Sequence, residues 1–539
     1  MFTLTAIAEY VIVAVATALL FALCTFTPLG ALQQAGYDNR RFFAWLRRKG
    51  NMLRSRYNLL ALLILLSSLV LGICFSFTGK WAAYLSLVPV PLFVALYDVA
   101  DRRALKVPLE TTARVGRIYA LEVLVLAVLS FALTLAVNAV AYYAEQELVS
   151  HLRYLPLAVL PVLLPYAAAA ANALEKPFSA RRNKKYLSAA SEKLAAAKCV
   201  KIGITGSCGK TSVKNFLAAI LSVKYKVLAT PASYNTPLGI ARAVEKEDLS
   251  QYDFFLAEMG ARHRGDISAL CSLVRPDHCM ITCICPQHLE SFGTVENIVA
   301  AKGEILAGTK KGGFAVIGQD ELSDTLDVKG AGLVKVSVGA HGEFGATKIA
   351  AGPSGIRFTL AFGVKEAEAS SKLLGVHNAD NIALAAAMAY KLGMSVEDIL
   401  EGISRIDYVP HRLQPYTERG VTILDDAYNA NVRGAAAALD VLRSFAGRKI
   451  VVTPGLVELG VLEQSENAAL GEKLAGLDLV LLVGDTLVTA VRSGYLAAGG
   501  DAEKLRILPS LEKAQEYLEG EICEGDVILF LNDLPDIYN

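Results

Sequence analysis

The sequence predicts an α-helical membrane domain followed by α/β domains, and three observations support this fold class. The mean hydropathy of +0.41 is high for a soluble protein, and the apolar excess lies in residues 1–175. From residue 200 onward, Val- and Ile-rich runs alternate with Ala- and Leu-rich segments, which is typical of α/β proteins. A glycine-rich loop, GITGSCGKT at 203–211, separates the first such run from a helical pattern.

Five apolar runs in the first part approach the roughly 20 residues that cross a bilayer. They cover about 5–25, 57–77, 81–100, 118–142 and 155–174. Prolines interrupt the fifth run, and membrane helices tolerate them. A cleaved signal peptide is the alternative for the first run, but that run lacks a basic n-region and further spans follow it. We therefore predict a membrane domain over 1–176 with about five transmembrane helices.

Basic residues predict the orientation of these spans. They concentrate between runs one and two, between runs three and four, and after run five: Arg40, Arg41, Arg47, Arg48, Lys49, Arg54, Arg56, Arg102, Arg103, Lys106, Arg114, Arg117, Arg181, Arg182, Lys184 and Lys185. These segments are expected on the cytoplasmic side, with the N-terminus outside. Since the net charge is only +1, the clusters are interpreted as topology signals beside anionic lipid, and no nucleic-acid partner is predicted.

The nine cysteines are scattered along the chain, which fits a reduced cytoplasmic setting. Four of them cluster at 271, 279, 283 and 285, but their spacing does not match the paired C-x-x-C of a zinc ribbon. Cys279, Cys283 and Cys285 share the parity of one strand face. This favours small buried hydrophobic residues over metal ligands.

A basic linker over 177–199 is predicted to lead into a second, α/β part. KIGIT reads as a strand before the glycine-rich loop, with a helix from about Thr211. YDFFLAEMG reads as a strand ending at Glu258, and DHCMITCI as one ending just before Pro286 and His288. Because ligands collect at the carboxyl ends of strands in open α/β sheets, these polar termini are expected to converge on one site.

The rest of the chain predicts a β-rich continuation over 313–374, a helix in GVHNADNIALAAAMAYKLG, and a further α/β unit. The strands of that unit are expected in TILDD, KIVVTPG, LVLLVGD and DVILFLND. The resulting domains are a central one over 200–408 and a C-terminal one over 409–539.

The glycine-rich loop has the chemistry of a phosphate-binding loop. Glycines at 203, 206 and 209 let backbone N–H groups surround phosphate oxygens, Lys210 adds a positive charge, and the Thr211 hydroxyl can reach Mg²⁺. The usual G-x-x-x-x-G-K-[ST] spacing would need glycine where Ile204 stands. A connecting turn without a ligand is the alternative. The predicted nucleotide-binding residues are Thr205, Gly206, Ser207, Gly209, Lys210, Thr211 and Ser212.

Further motifs follow the loop in a characteristic order. They are Glu258 in AEMGARHRGDI, PQHLESFGTVENIVAAKGEIL at 286–306, HNADN at 377–381, PHRLQP at 410–415 and LDDAYNAN at 424–431. Over roughly 200–530 this set resembles the Mur ligase family of ATP-dependent amide-forming enzymes, and within it the branch that adds D-alanyl-D-alanine. The resemblance implies a central P-loop ATPase domain, a C-terminal Rossmann-like domain, and peptidoglycan precursor synthesis at the bacterial plasma membrane.

The resemblance also implies roles for individual residues. Lys210 would hold the β- and γ-phosphates of ATP, and Thr211 with Glu258 would hold one Mg²⁺. His288 would help bind a second Mg²⁺. Lys302 corresponds to the lysine that CO₂ carbamylates in many members, whereas an unmodified Lys302 would pair with phosphate. Lys210, Glu258, His288 and Lys302 form the predicted catalytic set, and Thr211, Glu258, His288 and Lys302 the metal set.

Other residues enter through the same resemblance. Asn378 and Asn381 are assigned to the neighbourhood of the adenine, and Arg412 and Asp426 to the nucleotide when the domains close. Asn235, Tyr428 and Asn429 are assigned to the substrate side. Each has an ordinary alternative: polar residues of a helix N-terminus for the asparagines at 378 and 381, an interdomain salt bridge for Arg412 and Asp426, and a solvated helix face for Lys302.

Two departures from the family pattern affect the substrates, and a smaller one lies before the metal-binding histidine. Soluble members begin with a domain that binds UDP, and membrane spans stand in its place here, so a lipid-linked acceptor is an alternative to a UDP-linked one. Leu531, Asn532 and Asp533 replace the usual lysine-glycine-serine segment near the incoming amine, which leaves D-alanyl-D-alanine as a default. Cys283 to Cys285 stand where asparagine and glycine are common.

The leading hypothesis is therefore a membrane-anchored, Mg²⁺- and ATP-dependent amide ligase that joins an amino acid or dipeptide to a peptidoglycan precursor. A ligase of another envelope polymer or of polyglutamate type is the first alternative. An ATP-driven transporter is disfavoured because the spans contain few central charges. A membrane scaffold that only binds nucleotide is disfavoured by the complete set of predicted catalytic residues.

Overall fold

The computed structural model describes residues 3–47, 52–101, 109–144, 151–232, 234–339, 342–428, 431–484 and 487–532. These residues form two compact units, one up to Arg182 and one from Asn183 onward.

The first unit is helical, as predicted. Its α-helices are Leu4–Ala22, Phe26–Gln34, Asn39–Leu46, Leu53–Cys74, Lys80–Leu85, Pro89–Asp101, Ala113–Ala144 and the first part of Leu160–Ala196. Within the described residues, five helical segments have the length and apolar composition needed to cross a membrane: Leu4–Ala22, Leu53–Cys74, Trp81–Asp98, Ala113–Tyr143 and Leu155–Ala196. Large apolar side chains such as Ile12, Leu92 and Val128 are mostly exposed on these helices.

The segment predicted as a linker over 177–199 is instead helical as far as Ala196. Pro165 and Pro177 lie inside this helix and do not end it. Residues 183–196 are rich in Ala, Leu, Lys and Glu, which favour helix. Ala190 and Leu194 also join a hydrophobic core of the second unit. The polar and basic composition of this segment therefore led to a linker prediction, whereas the segment is helical as far as Ala196.

The second unit begins with a mostly parallel sheet. Its strands are β1 (Val200–Thr205), β2 (Val227–Ala229), β3 (Phe254–Glu258), β4 (His278–Ile281), β5 (Phe314–Gly318), β6 (Val334–Val338), β7 (Phe344–Gly352), β8 (Gly355–Phe362) and β9 (Lys365–Ser371). The order is β2-β3-β1-β4-β5-β6-β7-β8-β9. The last three strands pair antiparallel, which gives the predicted β-rich continuation.

The helices that accompany this sheet are Lys210–Leu221, Pro237–Glu245, Asp266–Val274, Leu289–Phe292, Val295–Gly308, His377–Lys391 and Val396–Ser404. They cover both faces of the sheet with separate apolar cores. Ile202 and Ile204 of β1 pack with Phe216 on one face, and Phe255 and Ala257 of β3 lie in the core on the other. Burial on both faces explains why these strands read as continuous apolar runs.

The C-terminal part contains a second sheet, formed by β10 (Gln414–Glu418), β11 (Val421–Asp426), β12 (Lys449–Thr453), β13 (Leu479–Val483), β14 (Leu505–Leu508) and β15 (Val527–Leu531). The order is β10-β11-β15-β12-β13-β14, and among the described strands of this sheet only β10 pairs antiparallel. Its helices are Val432–Ser444, Glu463–Leu474, Val488–Ala497 and Leu511–Glu521. The four strands predicted in this region are confirmed.

Candidate active site

The glycine-rich loop connects the end of β1 to the start of the helix Lys210–Leu221. Gly206 has φ +149° and Gly209 has φ +78°. A Cβ at 206 would lie 2.1 Å from Thr282 Oγ1, and one at 209 would lie 2.6 Å from Asn381 Oδ1. The two glycines therefore pack closely against Thr282 and Asn381 at a helix N-terminus. A glycine-rich loop at this position is typical of phosphate-binding sites.

We expect Gly206→Ala to weaken nucleotide binding by at least about tenfold, because the added methyl group collides with Thr282 and displaces the loop amides. Calorimetric titration with ADP measures this. Gly520→Ala is the matched control, since its Cβ meets nothing within 4 Å. Equal ADP affinity in Gly206→Ala and the wild type would contradict the phosphate-binding role of the loop.

The Lys210 side chain folds back over this loop. Its Nζ donates to the carbonyl oxygens of Gly206 at 2.8 Å and Ser207 at 3.0 Å. Burial lowers the pKa of Lys210, the nearby Glu258 carboxylate opposes that shift, and Arg412 adds to it. A partly buried cation at a helix N-terminus makes this end of the loop electropositive, which favours phosphate groups.

The hydroxyl groups of the loop have different surroundings. Thr205 Oγ1 donates to Met259 O at 2.8 Å, and Ser207 Oγ donates to Cys285 O at 2.9 Å. These two side chains hold the loop to neighbouring segments. Thr211 is nearly buried in the first helical turn, and Ser212 beside it is half-buried. Thr211 and Ser212 thus lie where the helix meets the loop.

Glu258 ends β3, next to β1 in the sheet. It is 1% exposed, so it is not a surface carboxylate. Its Oε2 accepts from Lys214 Nζ at 3.2 Å and its Oε1 from Asn235 Nδ2 at 3.2 Å. Lys214 Nζ also donates to Ala232 O at 2.6 Å. The sequence reading missed Lys214, although its position four residues after Lys210 places both on one helix face.

His288 precedes the short helix Leu289–Phe292 and has φ +54°. Its Nδ1 makes a short hydrogen bond to Glu458 Oε2, and Arg262 Nη1 contacts Glu458 Oε1 at 3.0 Å. This contact leaves Nε2 of His288 as the nitrogen that could meet a metal. Glu458 was not predicted, because it lies 170 residues away in the C-terminal part.

We expect Glu458→Gln to lower the turnover number by about tenfold or more, because a carboxylate that orients a histidine contributes roughly that much in metal sites. Steady-state ADP release at varied Mg²⁺ concentration measures the effect, and the required Mg²⁺ concentration should rise. Glu463→Gln, in the same region of the chain, is the control. Unchanged Mg²⁺ dependence in Glu458→Gln would show that Glu458 does not position His288 for metal.

Lys302 lies in the helix Val295–Gly308 and is 3% exposed. Its Nζ is 5.8 Å from the Phe292 ring centroid. Burial lowers the pKa of Lys302 to about 7, and the charge on Lys210 acts in the same direction. Lys302 is therefore not on a solvated helix face, and part of its amine is uncharged near neutral pH.

The two asparagines at the start of the helix His377–Lys391 contact one another. Asn381 Nδ2 donates to Asn378 Oδ1 at 3.2 Å, and Asn378 Nδ2 donates to Leu374 O at 2.8 Å. Asn381 also stands against Gly209, as the Cβ distance above shows. Asn381 therefore lies beside the glycine-rich loop, and Asn378 is hydrogen-bonded to the segment that precedes the helix.

Arg412 and Asp426 of the C-terminal part lie close to one another. The Arg412 guanidinium stacks 4.5 Å from the Tyr428 ring centroid, and Asp426 Oδ1 accepts from Leu413 N at 3.1 Å. Burial raises the pKa of Asp426 to about 7, and Arg412 opposes this shift. Arg412 also lowers the pKa of Lys210 through the repulsion of two positive charges. Asn429 lies outside the described residues.

The cysteines correct one sequence expectation. Strand β4 ends at Ile281, so Cys283 and Cys285 are not on a strand face with Cys279. Cys208 and Cys283 form a disulfide, whereas Cys279 and Cys285 are buried thiols. The strand stops because the backbone of 282–285 hydrogen-bonds to the glycine-rich loop instead of to β5.

Comparison with known proteins gives two family matches. Residues 204–389 match the Mur ligase middle domain, and residues 411–532 match the Mur ligase glutamate ligase domain. The chain is 35% identical over 291 residues to UDP-N-acetylmuramoyl-tripeptide--D-alanyl-D-alanine ligase of Escherichia coli, covering 52% of this chain and 64% of that protein. The enzyme of the same name from Mycobacterium tuberculosis is 31% identical, covering 64% and 72%.

Solved structures agree with the sequence matches. MurF from Acinetobacter baumannii superposes with a TM-score of 0.59 at 27% identity, covering 65% of this chain and 77% of that one. MurF ligase from Thermotoga maritima in complex with ADP gives 0.59 at 26% identity, covering 66% and 81%. The chain spans 64% of the length of the E. coli relative, which is less than two thirds. Both family matches lie in the second unit.

Proposed function

Because the chain belongs to the Mur ligase family, we propose that it is an ATP-dependent amide ligase of peptidoglycan precursor synthesis, similar in activity to MurF. The observation that carries the proposal is the convergence of Lys210, Glu258, His288 and Lys302. Glu258 ends β3 on one side of β1, and His288 and Lys302 follow β4 on the other side. The charge on Arg412 lowers the pKa of Lys210, and the charge on Lys210 lowers the pKa of Lys302.

The reaction follows from this arrangement. A carboxylate oxygen of the acceptor attacks the γ-phosphorus of ATP, and ADP leaves. The amine nitrogen of the second substrate then attacks the acyl carbon, phosphate leaves, and the ammonium proton is released. Lys210 and the loop amides would hold the phosphates during the first step, and Arg412 would neutralise charge on the side of the C-terminal domain. The protein contributes mainly positioning and electrostatic stabilisation.

The residues present fit Mg²⁺, which prefers oxygen ligands. Thr211 and Glu258 would supply a hydroxyl and a carboxylate, and His288 would add Nε2. A carbamate on Lys302 would add a further anionic ligand, formed when CO₂ reacts with the neutral amine. Bound there, Mg²⁺ would neutralise charge on the phosphate oxygens.

Substrates are proposed from the names of the relatives. The acceptor would be a UDP-N-acetylmuramoyl-tripeptide and the amine D-alanyl-D-alanine. The departure at Leu531 and Asn532 makes another amine the second candidate. In this structure Asn532 Nδ2 donates to Gly455 O at 2.7 Å, so this side chain supports a neighbouring loop.

The decisive experiment measures ADP release by the purified full-length protein with acceptor and amine supplied separately and together. We expect ADP release to require both, and mass spectrometry to show a product joined by loss of water. A panel of D-alanyl-D-alanine, single amino acids and glutamate identifies the amine. ADP release that is independent of both substrates would overturn the ligase proposal and favour a transporter, and nucleotide binding without any ADP release would favour a scaffold.

We further propose that the first unit anchors the enzyme in the plasma membrane, with the catalytic part in the cytoplasm. Five helices of sufficient length and apolar composition support this, as do their exposed apolar side chains. The test expresses the full chain in bacteria and extracts membranes with alkaline carbonate, which releases peripheral proteins. Recovery in the carbonate supernatant would contradict anchoring.

A lipid-linked acceptor is a second candidate for the carboxylate substrate, because helices of the length and composition needed to cross a membrane precede the catalytic unit. Supplying UDP-linked and lipid-linked tripeptide precursors to the full-length protein in bilayer nanodiscs separates the two. A higher kcat/KM for the lipid-linked form would support it, and exclusive use of the UDP-linked form would exclude it.

A further inference from the structure

Three cysteines meet beside the phosphate-binding loop. Cys208 lies within the loop, and Cys283 and Cys285 follow β4. Their sulfur atoms all lie within 4.8 Å of one another. Cys208 and Cys283 are disulfide-bonded with a Cα–Cα distance of 5.9 Å, which is ordinary for a disulfide. We call these three residues the loop cysteine cluster.

The cluster lies where the loop is already fastened to the segment after β4. Ser207 N donates to Cys283 O at 2.7 Å, and Ser207 Oγ pairs with the backbone N–H and carbonyl of Cys285. Thr282 Oγ1 donates to the carbonyl of Cys208 through a short hydrogen bond. Hydrogen bonds therefore hold the backbone of the loop and of the segment after β4 together, in addition to the disulfide.

We propose that the loop cysteine cluster is a redox modification site, at which a reversible Cys208–Cys283 disulfide governs nucleotide binding by the loop. The proposal rests on the nucleotide-binding part of the function proposed above. Its reaction partner is a low-molecular-weight disulfide, and its reductant is a dithiol.

The exchange balances in two steps. The thiolate of Cys208 or Cys283 attacks the small disulfide, forms a mixed disulfide and releases one thiol. The second cysteine thiolate then attacks the protein sulfur of that mixed bond, closes the Cys208–Cys283 disulfide and releases a second thiol. The two cysteines lose two electrons and two protons in total, and the small disulfide gains them. A dithiol reverses both steps.

The consequence for nucleotide follows from the position of Cys208 between Ser207 and Gly209. In the disulfide-bonded structure Lys210 Nζ caps the carbonyl oxygens of Gly206 and Ser207. Phosphate binding would require Lys210 Nζ to exchange those carbonyl oxygens for phosphate oxygens and the loop to adjust around the phosphate. A covalent bond from the centre of the loop to Cys283 opposes that rearrangement, so the oxidised form is the weaker nucleotide binder.

The test compares full-length protein treated with oxidised glutathione and with dithiothreitol. Peptide mapping establishes which cysteines are joined, and calorimetric titration with ADP measures affinity. We expect a Cys208–Cys283 bond after oxidation and at least a tenfold weaker affinity, restored by dithiothreitol. In Cys283→Ser the affinity should not respond to oxidant. In Cys523→Ser, which removes an exposed cysteine elsewhere, the response should remain.

Two results would overturn the proposal. One is equal ADP affinity in the two forms when mapping shows the Cys208–Cys283 bond. The other is oxidation that joins Cys285, or no pair in the cluster, in place of Cys208 and Cys283. ADP binding is measured without acceptor or amine, so failure of the ligase assay leaves this test intact. Conversely, amide formation at the same rate in the oxidised and reduced forms would support the ligase function and count against redox control.

Discussion

Lys210→Ala is expected to reduce ADP release by about 1000-fold or more, which corresponds to roughly 4 kcal/mol of transition-state stabilisation. The ammonium is partly buried and contacts the loop that would surround the β- and γ-phosphates. Removing it leaves the developing phosphate charge without its nearest cation in a site of low dielectric constant. Lys210→Arg should recover little of this loss, since the planar guanidinium cannot occupy the same space.

The measurement is coupled-enzyme detection of ADP at saturating substrates, with circular dichroism to confirm that the variant is folded. Lys224→Ala is the matched control, from the turn that follows the same helix. Its side chain is half exposed and pairs with Asp398, and such surface pairs contribute little. Lys210→Ala with more than a tenth of wild-type turnover would remove Lys210 from the mechanism.

The local parts of the site were predictable from sequence. The apolar run at 200–205, the glycines and the following amphipathic helix are contiguous, so one strand, one loop and one helix follow from neighbouring residues. Glu258 was predictable because the strand before it is uniformly buried and ends in a carboxylate. These features need only short-range patterns and the rule that parallel strands end at one edge.

The contacts that join distant segments were not predictable. Glu458 reaches His288 only because the C-terminal part packs beside the first sheet, and no local pattern marks it. The Cys208–Cys283 pairing depends on β4 ending at Ile281. From the sequence, the strand was predicted to continue until just before Pro286. The basic charge of 183–196 led to the prediction of a linker, although its residues favour a helix. In each case the outcome depends on contacts between segments distant in the sequence, which local residue patterns do not specify.

Lys302→Ala is the second substitution with a large expected effect, a loss of turnover of about 100-fold or more if its side chain carries an anionic ligand for metal. The lysine is buried in the second unit. Two mechanisms would account for the loss: a carbamate that orients Mg²⁺, or an ammonium that pairs with phosphate. They require opposite charges on the same side chain, so they predict different responses to CO₂ and to pH.

The carbamate mechanism requires the neutral amine. Because burial lowers the pKa of Lys302 to about 7, the neutral fraction rises as pH increases from 6 to 8. We therefore expect turnover in bicarbonate-depleted buffer to fall at least about tenfold, and added bicarbonate to restore more activity at pH 8 than at pH 6. The ammonium mechanism predicts the reverse pH trend and no dependence on bicarbonate.

Chemical rescue distinguishes the two mechanisms in the variant itself. Short carboxylic acids should restore part of the activity of Lys302→Ala if a negative charge is needed beside the metal, whereas short alkylamines should do so if a positive charge is needed beside phosphate. Lys311→Ala, an exposed lysine nearby in the sequence, serves as the control and should respond to neither. Rescue by amines alone, together with activity that is independent of bicarbonate, would rule out carbamylation and assign Lys302 to the phosphate.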